Sequence, residues 1–121
     1  MAPGILWAGT APKNSSTLSD STFNKWYDTV HLGDVLDSGV PDFALRYKST
    51  KKEDEIQYTA IYHCPDLNDM SKPEFANIPK TSDLLGGSND WREELKLDIR
   101  AYELIQQFEG PSGKKSSFII L

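Results

Sequence analysis

The strand-forming segments of this chain carry apolar side chains on both of their faces, and this constrains the fold more than any other feature. Successive side chains of a strand point to opposite faces of a sheet. Segment 43–48 has aromatic and aliphatic side chains on one face and Ala44 on the other, and segment 56–63 has Ile61 on one face and Tyr62 on the other. A sheet built from these strands therefore needs cover on both faces, since a face in contact with water normally carries polar residues.

The order of the segments predicts an α+β fold. A helix is predicted from about residue 20 to residue 31, because Phe23, Trp26, Tyr27 and Val30 form one apolar stripe with Ser19 or Asp20 as the N-cap. The other segments are strands at 5–10, 43–48, 56–63 and 95–109, and a broken helical region at 66–94 that contains Pro73, Pro79, Gly86 and Gly87. The order β-α-β-β-α-β is that of a ferredoxin-like fold with an antiparallel sheet.

The length and the second apolar face predict how the chain is organised. The 121 residues match the size of one domain, with a core at about 4–109 and a linker and apolar tail at 110–121. Helices cover only one face of such a sheet, and a second wet face would expose more apolar surface than monomers normally tolerate. We therefore expect a homodimer whose sheets pack face to face.

Composition excludes several classes of partner. The chain has 13 Lys+Arg against 18 Asp+Glu, a net charge of −5, and its arginines are Arg46, Arg92 and Arg100. Nucleic acid is therefore not an expected partner, because phosphate backbones are bound mainly by Lys and Arg. No apolar run reaches the roughly 20 residues of a membrane helix, and no basic segment typical of a signal peptide opens the chain. We expect a cytoplasmic protein without a membrane partner.

Motifs for metals, cofactors and common catalytic sites are absent. Cys64 is the only cysteine, so neither an intrachain disulfide nor a cysteine-rich zinc site can form. The chain has no P-loop, no G-x-S-x-G, no H-E-x-x-H and no G-x-G-x-x-G. We therefore predict no metal site and, if the protein is an enzyme, one that works without a cofactor.

The densest cluster of polar residues with catalytic potential lies in the predicted helix. Tyr27 and His31 are four residues apart, and His31 and Asp34 are three apart, so the three side chains share one face of an α-helix. A carboxylate beside a histidine stabilises the imidazolium, which favours general acid/base work near neutral pH. We predict His31 and Asp34 as catalytic residues. A capping or core histidine is the alternative interpretation.

Other side chains are candidates for binding an aromatic substrate. Arg46 lies in the middle of an apolar strand, where it would orient an anionic or enolic substrate or else pair with a carboxylate of the protein. His63 lies at the end of a strand. It is a candidate for substrate binding, and the alternative is a structural role through a hydrogen bond to the backbone. Aromatic residues belong to a core more often than to a pocket. The predicted substrate-binding residues are Trp26, Tyr27, Arg46, Tyr47, Tyr62 and His63.

Two stretches of the sequence resemble the EthD-like family of the dimeric α+β barrel superfamily, in particular its small fungal members. These are F-x-x-W-Y-x-x-x-H-x-x-D at 23–34 and R-x-Y-E-L-I-Q-x-F-E at 100–109. The resemblance runs from about Gly4 to Glu109 and implies a homodimer with a pocket between sheet and helices in each subunit. It places the family histidine at His31 and the acidic position at Asp34, and the sequence departs from the common pattern at Gly33, where related sequences have a proline.

The resemblance implies a cofactor-independent tailoring enzyme that acts on an aromatic polyketide-like molecule. In this hypothesis His31 moves protons during decarboxylation, dehydration or cyclisation, and a lyase or cyclase is favoured over a monooxygenase. Two alternatives stay open: a cofactor-free, quinone-forming monooxygenase, and a non-catalytic ligand-binding or stress-associated dimer.

Overall fold

A computed structural model describes residues 1–111 and arranges four strands in one open antiparallel sheet. The strands are β1 (Gly4–Pro12), β2 (Phe43–Lys48), β3 (Tyr58–Cys64) and β4 (Leu95–Glu103). Their order across the sheet is β2-β3-β1-β4. The predicted α+β class with an antiparallel sheet is thus confirmed. The predicted apolar tail, and all of the linker beyond residue 111, lie outside the described residues.

Strand register gives the sheet two different faces. β1 pairs with β3 through Leu6 and Tyr62, and with β4 through Ala8 and Ile99. Side chains of the helix-covered face belong to the main hydrophobic core together with Phe23, Trp26 and Tyr27, and they include Leu6, Ala8, Tyr58, Ala60, Tyr62 and Leu95. Among residues 1–111, no helix or strand covers the other face, here called the outer face, and its apolar side chains are Ile5, Trp7, Phe43, Leu45, Tyr47, Ile61 and Tyr102.

The predicted first helix is present, but its middle turn is wider than an α-helix. α1 spans Asp20–Trp26, a π-helical turn spans Tyr27–His31, and α2 spans Leu32–Asp37. Ser19 is the N-cap, since its hydroxyl accepts a hydrogen bond from the Thr22 amide. The helix ends before Gly39, whose φ of 77° requires a residue without a Cβ.

The segment between β3 and β4 is broken into short pieces, as its prolines and glycines predict. It contains a 3₁₀ turn (Leu67–Ser71), α3 (Pro73–Ala76) and α4 (Trp91–Glu94). Ile78 and Leu85 from the intervening loops are buried in the main core. These short pieces therefore occupy the position of the second helix in the β-α-β-β-α-β order.

The last strand is shorter than predicted. We expected it to continue to residue 109, but β4 ends at Glu103, which pairs with Gly4 at the beginning of β1. One more backbone hydrogen bond follows, from the Leu104 amide to the Pro3 carbonyl at 2.8 Å. Residues 105–109 are exposed. The strand ends here because β1 has no further residues to pair with. The composition of residues 104–109 gives no sign of this end.

In the part of the chain that the structure describes, no helix is long and apolar enough to cross a membrane. The cytoplasmic location stays a prediction.

Candidate functional site

A cavity of about 170 Å³ lies between the helix-covered face of the sheet and the helical segments. Its walls are mostly apolar, and strands, helical turns and loops all contribute to them. The sheet supplies Leu6, Ala8, Thr10, Tyr62, Leu95, Leu97 and Ile99, and the other elements supply Trp26, Tyr27, His31, Val35, Met70, Phe75, Ile78, Lys80 and Trp91. An apolar cavity of about 150 Å³ is large enough for benzene. The cavity therefore has room for one aromatic ring.

The π-helical turn positions His31 in this cavity. The Leu32 amide donates to the Tyr27 carbonyl, five residues earlier, as a π-helix requires. The wider turn places His31 beside Trp26, which is also five residues earlier, and the two rings stack with centroids 4.7 Å apart. The edges of Tyr27 and Trp91 complete the surroundings of the imidazole, at 5.1 Å and 5.4 Å. His31 is thus in contact with aromatic rings from three elements, α1, the π-helical turn and α4.

Burial keeps the imidazole of His31 neutral. The side chain is only 9% exposed. Desolvation, and then the positive charges of Lys80 and Arg46, lower its pKa from 6.5 to about 4. Within residues 1–111 no hydrogen bond reaches either ring nitrogen. His31 is therefore an uncharged imidazole at pH 7 whose ring nitrogens are free to bind a ligand.

Asp34 does not stand beside His31 as the α-helical spacing predicts. It does not line the cavity, and no hydrogen bond or ion pair joins it to His31. The backbone angles from His31 to Asp34 are α-helical. A spacing of three residues offsets the two side chains by roughly 60° around the helix axis, and of the two only His31 lines the cavity. The structure therefore shows no orienting carboxylate on His31.

Two tyrosine hydroxyls meet at the wall of the cavity. The hydroxyls of Tyr27 and Tyr62 are 2.9 Å apart and form a buried hydrogen bond. Burial raises the pKa of both phenols, and the neighbouring hydroxyl contributes further to the rise for Tyr62. Both phenols are therefore neutral at pH 7. Such a pair holds two protons, of which one lies in the mutual hydrogen bond and the other can be donated elsewhere.

Arg46 does not line the cavity, and its contacts join a strand to the helical segments. Its guanidinium lies over the Tyr27 ring at 4.2 Å and donates to Asp28 at 2.7 Å and to Asn24 at 2.9 Å. These contacts bind β2 to α1 and the π-helical turn. Of the two alternatives that the sequence left open, the structure shows the pairing with a carboxylate of the protein.

Tyr47 and His63 lie on the outer face of the sheet, away from the cavity. Tyr47 is 45% exposed. The imidazole of His63 stacks on the Phe43 ring at 4.8 Å, and its Nδ1 is 2.6 Å from Asp42. The structure thus places four predicted site residues on the wall of the cavity, Trp26, Tyr27, His31 and Tyr62, whereas Asp34, Arg46, Tyr47 and His63 do not line it.

Sequence reasoning missed three polar or aromatic side chains of the cavity: Thr10, Lys80 and Trp91. Thr10 had a signal, since it follows Leu6 and Ala8 at a spacing of two residues and so belongs to the same face of β1. Lys80 and Trp91 come from the broken segment, whose path over the sheet no periodicity describes. Among residues 1–111, no group of three or more His, Cys, Asp or Glu side chains could hold a metal ion.

One curated protein that the chain resembles is "core atranone cluster (CAC) protein 1" of Stachybotrys chlorohalonatus (strain IBT 40285). The two sequences are 29% identical over 113 residues, which is 93% of this chain and 48% of the relative. The chain thus spans about half the length of this relative. No family model matches the chain, and no solved structure matches it at a significant level. The chain is a homologue of a fungal cluster protein, and its resemblance to the EthD-like family is not confirmed.

Proposed function

We propose that this protein acts in fungal secondary metabolism, where it binds one aromatic ring of a polyketide-like molecule and transfers protons through His31. A secondary-metabolite cluster protein as a homologue supports the metabolic role. One observation carries the proposed chemistry: a neutral histidine, without a hydrogen-bond partner among residues 1–111, lies in an apolar cavity of the size of one ring. A general base must be deprotonated and must reach the proton that it removes.

The cavity supports a mechanism in two parts. A bound ring packs against Trp26 and Trp91, so that its acidic hydrogen, on a phenol or on carbon, comes within reach of a ring nitrogen of His31. The spare proton of the Tyr27–Tyr62 pair is then donated to the oxygen on which negative charge develops. Decarboxylation, dehydration and ring closure all use such proton transfers. A lyase or cyclase is the preferred reaction type, and the monooxygenase alternative uses the same base.

A second candidate is a protein that binds the ring without acting on it. The low pKa of His31 favours it, because an imidazole whose conjugate acid has a pKa of about 4 is a weak base at pH 7. Both candidates require that an aromatic ring enters the cavity, and they differ in whether removal of the imidazole abolishes turnover.

Filling the cavity should abolish ring binding. Ala8 is buried in β1 and lines the cavity, so Ala8→Phe places a ring where the ligand ring would lie. We expect phenol, titrated by the fluorescence of Trp26 and Trp91 or by NMR shifts, to bind at least about tenfold more weakly to this variant. Ala101→Phe is the matched control, since Ala101 is exposed on the same face of the sheet and does not line the cavity. Equal phenol affinity in A8F and wild type would contradict the proposal.

We further propose that the sheet is ferredoxin-like and that two chains pack their outer faces together as a dimeric α+β barrel. The exposed fractions of Leu45, Tyr47 and Tyr102, at 37%, 45% and 45%, support this, because they show large apolar side chains exposed on both edge strands of the same sheet face. Two copies of one apolar face are complementary around a two-fold axis.

A charge on the outer face should dissociate the proposed dimer. We expect Leu45→Asp to shift the mass measured by sedimentation equilibrium at micromolar concentration from twice 13.6 kDa toward 13.6 kDa, because burying an unpaired carboxylate is costly. Ile105→Asp is the control, since Ile105 is exposed beyond the end of β4. A wild-type protein that sediments as a monomer would refute the dimer.

A further inference from the structure

Lys80 gives the apolar cavity one positively charged group with an unused hydrogen-bond donor. Its ammonium donates to the Ala76 carbonyl at 2.8 Å and to the Ile78 carbonyl. Lysine has three N–H donors, and in residues 1–111 no hydrogen bond uses the third. The two carbonyls fix the ammonium at the wall of the cavity. One donor with a full positive charge is therefore available to a ligand.

No carboxylate of the described chain neutralises this ammonium. The ion pairs of residues 1–111 do not include Lys80. Asp90 is close enough for Lys80 to contribute to the lowering of its pKa, but the main cause is the hydrogen bonding of both its oxygens to Arg92. Lys80 also acts with Arg46 to lower the pKa of His31. The wall of the cavity thus carries a positive charge that no carboxylate of residues 1–111 pairs with, which favours an anionic ligand.

Thr10 provides an independent sign that a polar ligand belongs in the cavity. Its side chain lines the cavity and the residue is 4% exposed, yet its hydroxyl oxygen has no hydrogen-bond partner in the described part of the chain. A buried polar group without a partner is costly, and native structures contain few of them. A ligand oxygen near Thr10 would satisfy this hydroxyl.

We propose that Lys80 is a ligand-binding residue, and that the ligand is an aromatic ring bearing an anionic oxygen, such as an aromatic carboxylate. The ammonium donates a charge-assisted hydrogen bond to this oxygen, and the Thr10 hydroxyl donates to an oxygen of the same ligand. This inference rests on the proposed function, because it assumes that a ring occupies the cavity. Beyond the proposed function, it specifies that the ligand is negatively charged and that Lys80 binds this charge.

Benzoate and benzamide test this inference, because they have nearly the same shape and differ in charge. At pH 7 we expect wild-type protein to bind benzoate at least about tenfold more tightly than benzamide, as measured by NMR titration. Lys80→Gln should remove this preference while its amide still donates to the Ala76 and Ile78 carbonyls. Lys80→Arg should restore the preference, since the charge returns. Lys72→Met is the control, because Lys72 is exposed and pairs with Asp69.

Thr10→Val separates the role of the hydroxyl from that of the charge. We expect this variant to bind benzoate and benzamide about fivefold more weakly, with the preference for benzoate unchanged, because both ligands carry an oxygen that accepts from Thr10. Unchanged affinities in T10V would overturn the role of Thr10.

The outcomes distinguish this inference from the proposed function. If phenol and benzamide bind as well as benzoate, or if K80Q keeps the preference for benzoate, the inference is wrong and the ring-binding cavity stands. If no aromatic compound binds, the proposed function fails and the inference fails with it.

Discussion

Replacing His31 by phenylalanine is expected to lower turnover of an aromatic substrate by about 10²–10⁴-fold, the range for loss of one positioned proton-transfer group. Phenylalanine keeps a flat ring between Trp26 and Trp91 but has no nitrogen to accept a proton. Ring binding should therefore change far less than turnover. The measurement is product formation by mass spectrometry beside phenol titration on the same samples, with candidate aromatic polyketides as substrates.

Two further variants make the result specific. His31→Gln, with a hydrogen-bonding side chain that is not a base, should lose turnover to a similar extent. Asp34→Asn should retain wild-type turnover, because Asp34 neither lines the cavity nor contacts His31. An H31F protein that binds the substrate and turns it over normally would leave the binding-only candidate as the function. A large loss in D34N would instead show that Asp34 reaches His31 when substrate is bound, as the sequence predicts.

Local sequence patterns predicted the elements of the fold, because burial of one face imposes a period on the chain. The stripe of Phe23, Trp26 and Tyr27 and the N-cap at Ser19 follow from such local chemistry, and the structure confirms both. Alternation likewise places Tyr58, Ala60 and Tyr62 on one face of β3. The end of β4 could not be predicted in this way, because it depends on where β1 begins.

The candidate site was less predictable, because it depends on how elements meet. The register of β2 against β3 pairs Ala44 with Tyr62 and Tyr47 with Thr59, and this places Tyr47 and Tyr62 on opposite faces. A polar loop of nine residues, 49–57, joins these strands, and its composition does not determine the register. The π-helical turn at His31 has no sequence signal either, although such turns are frequent at functional sites. Only the assembled structure shows that Lys80 lines the same cavity as His31 and that Asp34 does not.

The buried neutral imidazole also predicts that the protein loses stability in mild acid. His31 has a pKa of about 4 in the folded chain against 6.5 in the unfolded chain. Between pH 6.5 and pH 4 the unfolded chain therefore binds a proton that the folded chain does not. Wherever the unfolded state binds more protons than the folded state, stability rises with pH and is lost as the pH falls. A shift of about 2.5 pH units corresponds to roughly 3 kcal/mol of unfolding free energy, lost as the pH falls through this window.

H31F isolates this contribution, because phenylalanine does not titrate. We expect the difference in unfolding free energy between wild type and H31F, measured by urea denaturation at pH 7 and at pH 4, to move by roughly 3 kcal/mol in favour of H31F at the lower pH. His63→Gln removes the only other histidine and should keep the contribution of His31. If wild type and H31F lose the same free energy between pH 7 and pH 4, the imidazole is not desolvated in the folded protein. The low pKa that favours the binding-only candidate would then be absent, because a solvated imidazole with a pKa near 6.5 is mostly neutral at pH 7 and is a stronger base. General-base catalysis by His31 would become the favoured candidate.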